Sequence, residues 1–356
     1  MENSAFTSAL ITWYREHHRD LPWRQTRDPY KIWLSEVILQ QTRVSQGLPY
    51  YQAFCRSFPK VSDLARASEQ EVLRLWQGLG YYSRARNLHR CAQLIVKEYQ
   101  GQFPRTYREL ISLPGIGDYT ASAIASFAYK QATPVVDGNV FRVLSRIFGV
   151  RDDIAIPNTR AIFKTLSAEL MKHAPADQFN QAIMEFGALQ CTPKRPQCSD
   201  CPLSTTCYAF ANNLQHQFPV KTKKMSARKR YFYYYVLKSG SQLWLKKRTR
   251  KDIWQGLYDF MLLESDSKSD PVDLLAYHMP NPSMMNQMII GEPSVEYLHK
   301  LTHQHINARF LVIEASSEAA FDGWQQDYEL QAYSRSEVHK LPKPILIDNY
   351  LKADIF

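Results

Sequence analysis

The chain lacks any apolar run near the ~20 residues that a membrane span requires. Its longest apolar stretches, such as residues 120–129, stop well short of that length. No basic segment leads into an apolar one after Glu2, so nothing reads as a secretion signal and a cytosolic protein is expected. Glycine is sparse, 13 in 356 residues, which excludes a collagen-like chain, and neither an internal repeat nor a low-complexity tract is present. Apolar residues make up 45% and charged residues 22%, ordinary for a globular protein, so intrinsic disorder is excluded as well. At ~150 residues per domain the length suggests two domains with sizeable cores.

Acidic residues are the minority class, 34 against 44 Lys plus Arg. The imbalance is uneven: residues 1–220 carry a net +7, residues 221–230 carry +6, and residues 231–356 carry −3. Such an excess in the first two-thirds suggests a polyanionic partner, because Lys and Arg gain affinity by displacing counterions from phosphates. Residues 1–214 read as helical nearly throughout. Val37, Ile38, Leu39, Val44 and Leu48 form one apolar stripe, and Leu64, Val72, Leu73, Leu75 and Trp76 another. Residues 215–230, rich in Lys and Arg, read as a basic linker. From residue 231 the pattern becomes that of strands: residues 231–237 and 243–245 flank a Ser239-Gly240-Ser241 turn, and further strands are expected at 258–263 and 308–314. Helical stretches are expected near 272–278 and 328–334. The second domain, 231–356, is therefore α+β.

Cysteine is scarce except in one place. Cys55 and Cys91 stand alone in apolar contexts, whereas Cys191, Cys198, Cys201 and Cys207 crowd into seventeen positions with the spacing C-x6-C-x2-C-x5-C. Without a secretion signal a metal is favoured over disulfides. Zinc sites usually present two close pairs, and here there is one; an iron–sulfur cluster accepts the uneven spacing better, with zinc the alternative. The loop would then present Lys194 and Arg195 to phosphate. A second motif, Leu113-Pro114-Gly115-Ile116-Gly117-Asp118-Tyr119-Thr120, sits between two apolar-periodic stretches. Gly115 and Gly117 permit a tight turn and close approach, and the helix that follows opens with unpaired N–H groups, a site for a DNA backbone phosphate.

This turn, followed by Val135-Val136-Asp137-Gly138-Asn139-Val140 and the four cysteines, resembles the helix-hairpin-helix DNA glycosylases that carry a [4Fe–4S] cluster. Residues Trp33-Leu34-Ser35-Glu36-Val37-Ile38-Leu39-Gln40-Gln41-Thr42 resemble the adenine DNA glycosylases within that group. The resemblance implies a multi-domain protein: an all-α helix-hairpin-helix glycosylase domain (1–214) with a [4Fe–4S] loop (191–207), then the 215–230 linker and an α+β Nudix-like domain (231–356). It implies removal of adenine mispaired with 8-oxoguanine or guanine in double-stranded DNA. A cytoplasmic, nucleoid-associated bacterial protein is expected, and a monomer suits an enzyme that wraps a duplex between two domains. It also selects the cluster over zinc at Cys191, Cys198, Cys201 and Cys207.

Cleaving the bond to adenine needs an acid for the base and an anion for the developing sugar cation. Glu36 stands in an apolar segment where burial would raise its pKa, and the resemblance makes it the proton donor to N7 of adenine. Asp137 matches the carboxylate that stabilises the oxocarbenium ion, with Tyr119 and Asn139 beside it. Tyr119 replaces the lysine that forms a Schiff base in the endonuclease III group, so an enzyme without lyase activity, leaving an abasic site, is expected. Leu21, Trp23, Arg24 and Gln181 match the adenine pocket, and Gln41 and Tyr81 the residues that fill the gap left by an extruded base. Arg84 and Arg86, after the Gly78-Leu79-Gly80 turn, read as phosphate ligands. In the second domain Thr302 and His303 match a Phe-Ser-His loop that contacts 8-oxoguanine, with Leu301 in place of the aromatic residue. The Nudix hydrolase signature is missing between Gly256 and Pro271, and the Trp254-Gln255-Gly256-Leu257-Tyr258 segment reads as core. Two other functions fit less well. A pyrimidine glycosylase with lyase activity is disfavoured by Tyr119, and a lesion binder without catalysis by the presence of both Glu36 and Asp137.

Overall fold

Prolines, glycines and short polar residues cut the first two-thirds of the chain into brief helices, and the structure, a computed structural model describing residues 3–222, 227–278 and 288–355, shows how these pack. The chain divides into two units. One comprises Met1–Arg66 and Asn87–Lys223, the other Ala67–Arg86 and Lys224–Phe356. Among the described residues no helix is long and apolar enough to cross a membrane.

The first unit is helical. Asp28 caps the Pro29–Leu39 helix by accepting from the Tyr30 N–H, and Pro29 stands in its first turn, where a missing N–H costs nothing. Asp137 caps the Gly138–Phe148 helix in the same way, and Gly149, at φ 68°, ends it. The core gathers Phe6, Leu10, Val140, Leu144, Phe163, Phe179, Ile183 and Phe186 from four helices. Asn180, fully buried, donates to Ser126 Oγ (2.9 Å) and the Thr133 carbonyl (2.9 Å) and accepts from the Val135 N–H (3.0 Å). It thereby fixes the extended stretch that delivers Asp137. Gly187 lets the Ala176–Leu189 helix cross close to the start of the Gly138–Phe148 helix: a Cβ there would sit 2.6 Å from Asn139 Cβ and 3.1 Å from its backbone.

The second unit is a mixed sheet flanked by helices, together with the short Glu69–Leu75 helix and its Ser68–Glu71 capping box. Arg228–Ser239 runs parallel to Gln304–Ala315 in the middle of the sheet, with Arg228 opposite Gln304 and Lys238 opposite Glu314. Gln242–Lys247, Met261–Ser265, Met288–Ile290 and Tyr297–Lys300 add antiparallel neighbours. The 231–237 run is apolar at nearly every position because the strand is buried on both faces. Tyr233, Tyr235 and Leu237 meet Trp244, Phe321 and Trp324, while on the other face Tyr234 stacks on Phe310 and Phe310 on Tyr350, centroids 3.8 Å apart.

Two expectations change here. Residues 328–334 do not form a helix: Asp322–Tyr328 ends at Glu329, which is left-handed, and Gln331–Ser334 becomes a strand paired with Gln242–Lys247. Pairing with Gln242–Lys247 outweighs local helical preference. Of the basic 215–230 stretch, Lys223 and Lys224 lie outside the described residues. Arg228, Lys229 and Arg230 belong to the long strand, where Arg230 pairs with Asp252 (2.9 Å) and Glu264 (2.6 Å).

Gly187→Ala tests the close crossing. A mid-helix Gly→Ala change ordinarily gains up to ~1 kcal/mol. Overpacking of about 1–3 kcal/mol should outweigh that gain here, lowering the urea midpoint. A raised midpoint would show that the helices have room to part.

Candidate active site and nucleic-acid interface

Within the first unit a pocket of about 570 Å³ brings together Leu21, Trp23, Arg24, Glu36, Tyr119, Asp137, Asn139 and Gln181. These come from five separate segments of the sequence. Glu36 lies on the Pro29–Leu39 helix among Trp33, Leu34, Val37 and Ile38, all buried, and is itself only 8% exposed. Burial pushes its carboxyl up to about 7, and the nearby Asp137 charge adds to this, while a hydrogen bond from Tyr119 and the charge of Arg24 pull the other way. The Tyr119 phenol donates to Glu36 Oε2 at 2.7 Å. Its own pKa is driven well above 10 by burial and by the two carboxylates, so it stays a neutral donor.

Asp137 is held differently. Its Oδ1 accepts from the Asn139 and Val140 N–H groups (both 2.8 Å), and its Oδ2 accepts from Asn139 Nδ2 (2.8 Å). Burial raises its pKa, whereas these hydrogen bonds and the positive helix end oppose the rise. Glu36 is thus the proton-holding carboxyl near neutrality, and Asp137 is the one whose lone pairs are pinned by donors. A carboxylic acid beside a restrained carboxylate can protonate a leaving base from one side and stabilise a cation from the other.

Sequence reasoning missed Glu185. Its side chain is 1% exposed and lines the pocket, gripped by Arg19 (2.6 and 2.8 Å) and Arg24 (2.6 and 2.9 Å). Burial alone would raise its pKa, but the two guanidiniums outweigh it and hold the carboxyl at about 2. The available signal was its place one helical turn beyond Gln181 in an apolar stretch. Gln181 Oε1 accepts from the Tyr14 phenol at 2.9 Å. Gln41 is not among the pocket lining; it is exposed, with φ 57°, just past the Pro29–Leu39 helix.

The helix that Asp137 caps also carries two arginines that reach the cysteine loop. Arg142 donates to Asn139 Oδ1 (2.8 Å), the Gly187 carbonyl (2.6 Å) and the Cys191 carbonyl (2.7 Å). Arg146, 2% exposed, donates to the carbonyls of Thr192 (2.7 Å), Pro193 (3.0 Å) and Gln215 (2.9 Å), with Cys191 Sγ at 3.4 Å. Cys191, Cys198, Cys201 and Cys207 are free thiols that line one small cavity. Burial, reinforced by the other three sulfurs, pushes Cys201 up to about 11. Among the described residues no three ligand-type side chains already stand close enough to hold a single metal ion. Lys194 and Arg195 are exposed on the same loop.

The glycine turn is built as its sequence suggests. Gly115 has φ +75°, and a Cβ there would strike Asn87 Cβ at 2.5 Å. Gly117 precedes the Asp118–Tyr129 helix without a side-chain cap, and a Cβ on it would meet nothing within 4 Å, so that side of the turn is open.

In the second unit a cavity of about 490 Å³ is lined by the Gly78-Leu79-Gly80-Tyr81-Tyr82-Ser83 turn, Trp254, His299 and residues 301–304, including Thr302 and His303. The hydroxyls of Tyr81 and Thr302 share a hydrogen bond. Tyr81 is 43% exposed with φ 49°, and Trp254, with φ 61°, is buried yet borders the cavity. Arg84 lies over the Trp76 ring (4.9 Å) and donates to the Gly80 carbonyl (3.2 Å), and Arg86 donates to the Gln255 carbonyl (2.5 Å). In this structure both cations brace the turn from within its own unit.

Residues 34–172 match the HhH-GPD superfamily base excision DNA repair protein model, and residues 232–353 match the NUDIX domain model. An adenine DNA glycosylase of Buchnera aphidicola (from Schizaphis graminum) is 32% identical over 344 residues, covering 96% of both chains. The adenine DNA glycosylase of Homo sapiens is 46% identical over 225 residues, which cover 61% of this chain and 41% of the human one. Among solved structures, a thermostable thymine-DNA glycosylase superposes with a TM-score of 0.55 at 28% identity, covering 59% of this chain and 97% of that one. The chain therefore belongs to the adenine DNA glycosylase family, enzymes of base excision repair with a helix-hairpin-helix domain followed by a Nudix-like domain.

Proposed function

We propose that this glycosylase removes adenine paired with 8-oxoguanine, or with guanine, from duplex DNA and leaves an abasic site without cutting the strand. The observation that carries the reading is the Glu36, Tyr119 and Asp137 constellation in one pocket, with Glu36 near neutrality in its titration. An extruded adenine enters between Leu21, Trp23 and Arg24, and Gln181 meets its edge. Glu36 gives its proton to N7, which makes the base a neutral leaving group. As the glycosidic bond lengthens, positive charge grows on the sugar, and Asp137, pinned by Asn139 and its helix cap, faces that charge. Asn139 and Tyr119 are positioning residues: one fixes Asp137, the other aims the Glu36 carboxyl.

Absence of strand cleavage is supported by the pocket lining, in which the described residues include arginines but no lysine amine for a Schiff base. Recognition of the opposite base is assigned to the second unit, where Thr302, His303 and Tyr81 border one cavity. Gln41 and Tyr81 are assigned to propping the opened duplex, and the turn at Gly115 and Gly117 to gripping its backbone. Cys191, Cys198, Cys201 and Cys207 would hold the [4Fe–4S] cluster. Soft sulfur donors converging on one cavity suit iron, and the bound cluster would cross-link a loop that otherwise depends on Arg142 and Arg146.

In single-turnover excision from an adenine:8-oxoguanine duplex, strand breaks should appear only after alkali. Glu36→Gln should retain binding and lose at least ~10²-fold in rate. The rate should fall as pH rises through about 7, because the proton that Glu36 must give is then gone. Tyr119→Phe removes a hydrogen bond that lowers the Glu36 pKa, so its falling limb should move to higher pH. A rate flat from pH 5 to 9, or breaks without alkali, would overturn these assignments. Thr302→Val should reduce the preference for 8-oxoguanine over guanine by about 3–10-fold, the worth of one hydrogen bond; an unchanged ratio would remove Thr302 from recognition.

A further inference from the structure

The glycine turn that fits a phosphate is followed at once by an acidic residue, and this is electrostatically odd. Asp118 suits the positive end of its own helix, yet the same carboxylate stands where an incoming phosphate would repel it. The surroundings answer the charge. Oδ1 accepts from the Tyr107 phenol at 2.6 Å and from the Lys164 ammonium, and Arg160 lies 3.8 Å from Oδ2. The Lys164 ammonium also lies over the Tyr107 ring, 5.4 Å from its centre, and Arg160 lies over Phe141 at 5.3 Å. None of the three charged side chains is buried: exposures are 28% for Asp118, 27% for Lys164 and 43% for Arg160. They are partly exposed, and Asp118 directly follows Gly117, around which a Cβ would meet no atom within 4 Å.

We propose that Asp118 limits the grip of the turn on undamaged DNA, by pairing with Lys164 and Arg160 and so withholding two cations from the phosphate backbone. This rests on the assignment of the turn to phosphate binding. A repair enzyme that must pass over a great excess of normal duplex gains from such restraint, because each Lys or Arg engaged on phosphate releases counterions and strengthens binding regardless of sequence. Arg160 has a second attachment, donating to the Val136 carbonyl at 3.0 Å, so its reach is shorter than that of Lys164. Lys164 should therefore account for most of the effect.

The test is equilibrium binding of the full-length protein to an undamaged duplex across a series of salt concentrations. Asp118→Asn should bind several-fold more tightly at moderate salt, with the slope of log K against log salt steeper by ~0.9 for each cation released. Lys164→Gln in the otherwise unchanged protein should leave that slope alone, since Lys164 is already engaged by Asp118. Added to Asp118→Asn, it should remove most of the gain. An Asp118→Asn slope equal to the parent's, or a Lys164→Gln slope shallower by one cation, would overturn the inference. Thermal melts of each variant separate loss of fold from loss of contact. Gly117→Ala reports on the underlying assignment by itself: its methyl meets no protein atom, so unimpaired binding would discard phosphate contact at the turn. Weakened Gly117→Ala binding beside an unaltered Asp118→Asn would discard only the restraint.

Discussion

The first unit depends on one helix, Gly138–Phe148, and on what its two ends and buried face must satisfy. Asp137 supplies the acceptor that its first-turn N–H groups require, so the residue that caps the start of the helix is also a carboxyl lining the pocket with Glu36. Arg142 and Arg146 lie on the same helix and are almost fully buried, a costly arrangement unless every donor finds an acceptor. Their acceptors are the carbonyls of the cysteine loop, of Gly187 and of Gln215, together with Asn139 Oδ1. A local capping requirement, a buried-charge requirement and the anchoring of the cysteine loop at Cys191, Thr192 and Pro193 thus converge on this one helix and its cap.

The pocket shows how burial can separate two carboxyls of the same chemical type. Glu36 lies in an apolar helix with one phenol for company, so desolvation dominates and its proton is retained to about 7. Glu185 is also buried but lies against two guanidiniums, and it is held at about 2. Desolvation works on both, and the difference comes from the partners that face them. The same reasoning distinguishes Asp137, whose donors are mostly backbone N–H groups that cannot move away.

In the second unit, burial of the central strand on both faces explains a run of aromatic and aliphatic residues that a one-sided sheet would not tolerate. The Ala67–Arg86 segment, with the turn that carries Tyr81, groups with this unit although 137 residues of the first unit intervene in the chain. That grouping places Tyr81 beside Thr302 in a single cavity. No helix or strand pattern near either residue announces it.

What the sequence determined alone is what short-range physics controls. Periodicity marked the helices and the central strands, proline and glycine marked the turn at Gly115 and Gly117, and cysteine spacing marked a thiol cluster. Glu36 and Asp137 were singled out through their resemblance to the family's motifs, Glu36 also by its apolar segment, and the helix cap that Asp137 forms became visible only in the structure. Only tertiary structure decided the rest. It set the two guanidiniums on Glu185, the reach of Arg142 and Arg146 to the cysteine loop, the pairing of Gln331–Ser334 as a strand, and the company that Lys164 and Arg160 keep with Asp118. Each of these joins groups far apart in the chain, and a side chain's choice among distant partners depends on which surfaces folding brings together, which residue order does not display.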